Sequence, residues 1–427
     1  MTAPRTESEG PAGWSVPVQV VFSPAGIEAW LIEDHTVPVV ALAFAFAGGA
    51  ALDPPGQEGR ATLLAALLTQ GAGPHDTAAF ASLLRERGVS LSFEAERDGL
   101  KGNLRALAEE ADFAADMLAL ALAEPRFDDS ALERAKAQRL ITLRREAEQP
   151  PTIAARRWWA EAYAGHPFSR PTGGTEEGVA AIDRAALRAA LEAQMRRGSV
   201  VVAAAGAIDS DGLGRLVDRA FASSLAAGTA APVPAVPEPR RFGLAVVERD
   251  APQAAGFFGH GAIAPEDPAW EAAQIANWIL GGGGFSARLM TEIREKRGLT
   301  YGIGTSLLPF RGRGLVLGSV STDNARFGET LAVLREEWRK MAAEGPTAEE
   351  VEAGKAFLTG SFPLGFTSTA QIAGTLVGLR QLGRAPDWLA GRLARLAAVT
   401  VEEVREVARR LFDPEALSVV VAGRPAL

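Results

Sequence analysis

The chain has 427 residues and a formal net charge of -8, with 47% hydrophobic and 22% charged residues; this is globular make-up at a length that calls for more than one packed core. Charges of both signs are spread along it, so it lacks the basic footprint of a nucleic-acid binder. It has no cysteine, which excludes disulfides, thiol catalysis and thiolate metal sites.

In chain order, Met1 to Gly13 is polar, shows no targeting signal and reads as a frayed start. The chain reads as soluble, with its compartment left open. The longest apolar run, 39–52, contains Gly48 and Gly49 and is too short to span a bilayer. Residues 39–47 alternate like a half-buried strand. The pattern over 60–70 predicts a helix with Leu63, Leu64, Leu67 and Leu68 on one face and Gly71 as its stop. A strand pair over 89–95 and 99–106 follows, then long helices over 109–123 and 130–148. A helix over 184–197 leads into a strand over 199–206. Residues 226–239, rich in proline and alanine, read as an extended, exposed linker. Beyond it come strands over 242–248 and 255–263, helices over 268–280 and 287–296, strands starting at Tyr301 and Gly314, a helix over 401–412 and a strand over 418–423.

The two halves resemble each other. Ser199 to Gly206 closes the first and Ser418 to Gly423 the second. Leu84 to Leu91 matches Ile293 to Tyr301 with one residue inserted, and 127–136 matches 346–355. These matches occur in the same order, as an internal duplication requires. The expected fold is α+β: an N-terminal domain over 1–225 that holds the 59–70 helix, a linker over 226–240, and a C-terminal domain over 241–427.

Histidines occur only at His35, His75, His166 and His260. No two are four apart, so neither H-E-x-x-H nor H-x-x-E-H is possible. There is no G-x-S-x-G elbow and no P-loop. Gly281 to Gly284 lacks the Lys-Ser/Thr of a phosphate loop; it reads as a turn that lets backbone approach closely, with Gly282, Gly283 and Gly284 as candidates to line a substrate channel. The segment from Gly281 to Tyr301 runs from this loop through a helix and a glycine stop into a strand. It brings the cation of Arg294 and the phenol of Tyr301 to one corner, where they could grip a peptide backbone. Arg297 is a weaker stand-in for Arg294. The plainer reading makes Arg294 one more charge beside Glu292, Glu295 and Lys296, and Tyr301 a packing residue.

The similar halves, the linker, Gly283-Gly284-Phe285-Ser286-Ala287-Arg288-Leu289 and Arg294-Glu295-Lys296-Arg297-Gly298-Leu299-Thr300-Tyr301 together resemble the pitrilysin (insulinase-like) family of zinc peptidases. Gly165 to Glu176 resembles a stretch of that family's first half. The resemblance implies two α/β-layered halves forming half of a clam shell. Active members carry H-x-x-E-H on the first long helix; here Thr62, Ala65 and Ala66 occupy those positions, and the distal glutamate ligand falls near Thr142 or Leu143. The resemblance thus implies a subunit with no metal of its own and no activity alone. Its partner would be a homologous subunit carrying zinc, the pair closing on an unfolded peptide, with Arg294 and Tyr301 donating to the substrate carbonyl. The alternative is a scaffold like the core subunits of a respiratory complex, or a peptide-binding module without proteolysis.

Overall fold

The computed structural model describes residues 16–310 and 312–427; the polar start, Met1 to Gly13, lies outside them. Two sheets organise the chain. The first holds β1 (Gln19–Phe22), β2 (Glu28–Glu33), β3 (Val39–Ala47), β4 (Ser90–Ala95), β5 (Gly99–Leu107) and β6 (Val200–Gly206), in the order β1-β2-β6-β3-β5-β4. The second holds β7 (Leu244–Glu248), β8 (Gln253–Ala262), β9 (Thr300–Phe310), β10 (Arg313–Asp323) and β11 (Ser418–Gly423), in the order β7-β11-β8-β10-β9. Apart from β1 the two orders are the same. In each a parallel pair, β2 with β6 or β7 with β11, leads into antiparallel neighbours. The halves of this α+β fold are therefore topological repeats.

The repeat extends to a turn. Gly88 and Gly298 both adopt left-handed backbone, φ 63° and 57°, which glycine does without strain. Each ends a helix and turns the chain into an edge strand. In the first half the Gly88 and Val89 amides donate back to the carbonyls of Arg85 and Leu84; in the second, those of Gly298 and Leu299 donate to Arg294 and Ile293.

Each sheet is covered by its own half on one face and by the other half on the opposite face. In β3, Leu42, Phe44 and Phe46 pack with Leu63, Leu67 and Leu118 of the first half. Ala41, Ala43 and Ala45 point the other way, onto Ile372, Ala373, Leu376 and Val377. Those four belong to the helix Thr369–Gln381 of the second half. The expectation of a half-buried β3 is thus corrected: the strand is buried on both faces, and its alanines let a helix come close. Arg380 fastens the contact, donating to the carbonyls of Glu28 (2.8 Å) and Val202 (2.6 Å).

The first half returns the arrangement. Its helix Pro150–Ala162 places Trp158 against Leu315, Leu317 and Val420 of the second sheet, and the Trp158 indole donates to the Ser418 carbonyl at 3.1 Å. Its neighbour Trp159 is only partly buried, as one of two adjacent side chains on a helix must be when the other faces a sheet. Neither covering helix shows in the apolar periodicity. Residues 229–243 form neither helix nor strand, yet they are not wholly exposed. Val236 is buried in the same cluster as Trp158, and its carbonyl accepts from Arg313 at 2.8 Å.

Candidate functional site

The glycine corner is built from buried side chains outward. The helix Trp270–Asn277 runs into a π-turn, Trp278–Gly282, and a second π-turn spans Met290–Glu295; such widened turns recur at functional sites. Met290 and Ile293 are buried beneath the second, leaving Arg294 half-buried at the surface. Register then moves Tyr301. Thr300 pairs with Thr322 and Ile303 with Val320, so Tyr301 and Gly302 together oppose Ser321. This bulge in the edge strand β9 re-aims the side chain, and Tyr301 stands 90% exposed.

The Arg294 guanidinium carbon lies 4.5 Å from the ring centre of Phe285 and 5.2 Å from that of Tyr301. Both distances lie within cation–π range, a contact that uses no hydrogen bond and so leaves the guanidinium N–H groups to donate elsewhere. Among the described residues no carboxylate or carbonyl accepts from Arg294. The structure thus brings Arg294 and Tyr301 together, with the cation unspent. Phe285, 66% exposed, is the member that the sequence reading missed; its signal was an aromatic directly after four glycines.

The neighbouring candidates are engaged. Arg297 donates to the Glu292 carbonyl and carboxylate, both at 2.7 Å. Lys296 joins on the same carboxylate, and the two cations hold Glu292 below its usual carboxyl range. Gly282 and Gly283 are fixed by local packing: a Cβ would meet Asn277 at 2.8 Å or the Trp278 carbonyl at 2.8 Å. Gly284 is exposed with open space around it. Arg288 is an anchor, its fork on both oxygens of Glu350 at 2.6 Å.

On the other side, the helix Arg60–Leu67 follows Gly59 at φ 99°. Buried Asp53 accepts from the Gly59 and Ala61 amides at 3.0 Å each, filling the role of a missing N-cap. Burial pushes the Asp53 carboxyl up to about 6, against those two donors and Arg60, which pull it down. Thr62 donates its hydroxyl to the Thr172 carbonyl at 2.9 Å; Ala65 is buried and Ala66 exposed. In the helix Asp129–Ala147, Leu143 lies in the core and the Thr142 hydroxyl donates to the Gln138 carbonyl of its own helix at 3.0 Å. Zinc needs imidazole, thiolate or carboxylate donors. These positions offer methyl and isobutyl groups and two hydroxyls committed to backbone, so they do not fit zinc. Among the described residues no three His, Cys, Asp or Glu side chains cluster to hold a metal ion. The His166 Nδ1 instead accepts from the Phe168 amide at 3.2 Å, and the His260 Nδ1–H donates to the Gly261 carbonyl at 2.7 Å.

Comparison with known proteins agrees with this architecture. Residues 29–176 match the insulinase family (peptidase family M16), and residues 181–358 match the peptidase M16 inactive domain. The non-peptidase homolog YmxG of Helicobacter pylori is 26% identical over 379 residues, covering 88% of this chain and 86% of its own length. An uncharacterized zinc protease of Mycobacterium tuberculosis is 31% identical over 293 residues, 67% of this chain and 65% of that protein. The crystal structure of a peptidase M16 inactive domain from Pseudomonas fluorescens has a TM-score of 0.90 at 27% identity, covering 96% of this chain and 98% of that one. Among the described residues no helix is long and apolar enough to cross a membrane. Similarity extends to relatives named as peptidases and as non-peptidases alike, and with the inactive-domain match over 181–358 the chain belongs to the pitrilysin-like peptidase family M16, as a non-catalytic member.

Proposed function

We propose that this chain is the substrate-binding subunit of a two-subunit zinc peptidase. A homologous partner carries the zinc, and this chain presents Arg294 and Tyr301 to the carbonyl of an unfolded peptide. The observation that carries this reading is the aromatic seat of the cation: Arg294 lies against the exposed rings of Phe285 and Tyr301, with no acceptor among the described residues. Other surface arginines, Arg134 and Arg188 among them, also lack an acceptor among the described residues; what sets Arg294 apart is its place against two exposed aromatic rings. A guanidinium held against those rings supplies several donors at low entropic cost. A phenol on a strand bulge adds one more. Donors aimed where charge develops on a carbonyl oxygen stabilise the transition state of acyl transfer.

The test is reconstitution. The chain is mixed with a homologous subunit bearing H-x-x-E-H, and peptide cleavage is followed for each alone and for the pair. The pair alone should cleave, and Tyr301→Phe should slow it without loss of assembly. A complex that forms yet cleaves no faster than the zinc subunit alone would place this chain among assembly proteins and end the substrate-binding reading.

A further inference from the structure

We infer that a second site, an arginine-lined pocket remote in sequence from Arg294, takes a carboxylate borne by the bound peptide. The pocket is a cavity of about 490 Å³ between the first half and the second sheet. Four arginines line it, Arg97, Arg139, Arg156 and Arg170, against one carboxylate, Glu146. Arg139 and Arg156 both pair with Glu146, so one acid is shared by two cations. Arg97 lies 4.0 Å over the Trp159 ring and donates to the carbonyls of Phe168 and Arg170. Arg170 carries the clearest sign of a missing acceptor: its Nη1 is buried with no hydrogen-bond partner among the described residues. A buried donor left unpaired is costly, and native proteins seldom keep one without a reason. Asp53 lies within electrostatic reach of Arg170, whose charge helps to pull its carboxyl down.

The pocket adjoins the helix that lost its donors. Thr172, in its wall, is the residue whose carbonyl takes the Thr62 hydroxyl. Gly173 beside it gives its carbonyl to Arg139 at 2.7 Å, and a Cβ there would overlap the guanidinium. The loop is therefore shaped around the arginine. Guanidinium forks match a planar carboxylate, and the walls add the apolar faces of Trp159 and Phe257. The volume suits one residue of a peptide, either its C-terminal carboxylate or an acidic side chain. This inference rests on the peptide-binding reading above and narrows it to peptides that carry such a group.

Calorimetry on the full chain tests it with three forms of one short apolar peptide: a free C-terminus, a C-terminal amide with one glutamate, and a C-terminal amide without acid. At least one acidic form should bind about tenfold more tightly than the neutral form, and the form that gains identifies the source of the carboxylate. Arg156→Gln, at a partly exposed position, should remove the gain while the thermal midpoint holds. Glu146→Gln should enlarge it by freeing Arg139 and Arg156. In the Arg294→Ala chain all three affinities should fall together with their ratio kept. Equal binding of the three forms, or a gain that survives Arg156→Gln, overturns the carboxylate pocket and leaves the peptide-binding role standing. A chain that binds none of them overturns both.

Discussion

Arg294 lies over the ring of Tyr301, its guanidinium carbon 5.2 Å from the ring centre. The bulge at Tyr301 and Gly302 makes this possible, because an unbroken β9 would aim the phenol elsewhere. The Phe285 ring lies against the same cation, 4.5 Å from its guanidinium carbon. The three side chains come from a glycine turn, a π-turn and an edge strand, and they meet only in the folded chain.

Phe285→Ala removes one of those two rings. An exposed cation–π contact is worth about 0.5–1 kcal/mol, so turnover by the reconstituted complex should fall about two- to fivefold. Steady-state kinetics on the variant complex check this. A loss as large as that of Arg294→Ala would assign Phe285 a direct role on the substrate.

Trp158→Ala opens a cavity between the first half's helix and the second sheet, and it leaves the Ser418 carbonyl without its indole donor. Truncating a buried tryptophan costs about 3–5 kcal/mol. Because each half covers the other's sheet, the whole chain should unfold in one transition at lower urea, read equally by circular dichroism and tryptophan fluorescence. Two separated transitions would contradict the interlocked packing.

The same interlock bears on the halves in isolation. Residues 1–240 alone would bare the Trp30, Ala41 and Ala43 face that the helix Thr369–Gln381 covers. Residues 241–427 alone would bare Leu315 and Val420. Expressed separately, both pieces should be insoluble or expanded, and expressed together they should assemble into a compact pair measurable by size-exclusion chromatography.

Asp53 gives a pH signature. Its folded carboxyl titrates at about 6, above the ordinary 3.8, so the folded chain holds that proton more tightly than the unfolded chain does. The contribution to stability grows as pH falls through this window and is lost as pH rises through about 6. His260 acts oppositely, since burial pushes its imidazole below the ordinary 6.5 and protonation of the unfolded chain then costs stability at lower pH. Asp53→Asn leaves His260 in place. The difference in urea midpoint between the two proteins, followed from about pH 4 to pH 7, should therefore shift in favour of the native chain as acid is added.

Much of the site was legible because its elements are local. The helix at Arg60–Leu67, the strands β4 and β5 and the Gly298 turn each follow from patterns within a dozen residues. The covering helices were not. One opens on Pro150 and Pro151, which suit a first helical turn but give no helical period by themselves. The other, Thr369–Gln381, contains Gly374 and Gly378 and packs against the sheet and the Phe362–Phe366 turn, so it lacks a clean amphipathic period. The linker's exposure was misjudged for a similar reason: proline-rich composition says nothing of Val236 finding a pocket beside Trp158. The bulge at Tyr301 depends on cross-strand register, which no single strand encodes.

Turnover of the reconstituted complex carrying Arg294→Ala, measured at assembly matched by sedimentation, tests the central claim most directly. Loss of one such donor should slow cleavage by about 10²–10³-fold while the complex stays intact. Unchanged turnover, or stoichiometric zinc and peptide cleavage by this chain alone, would contradict it.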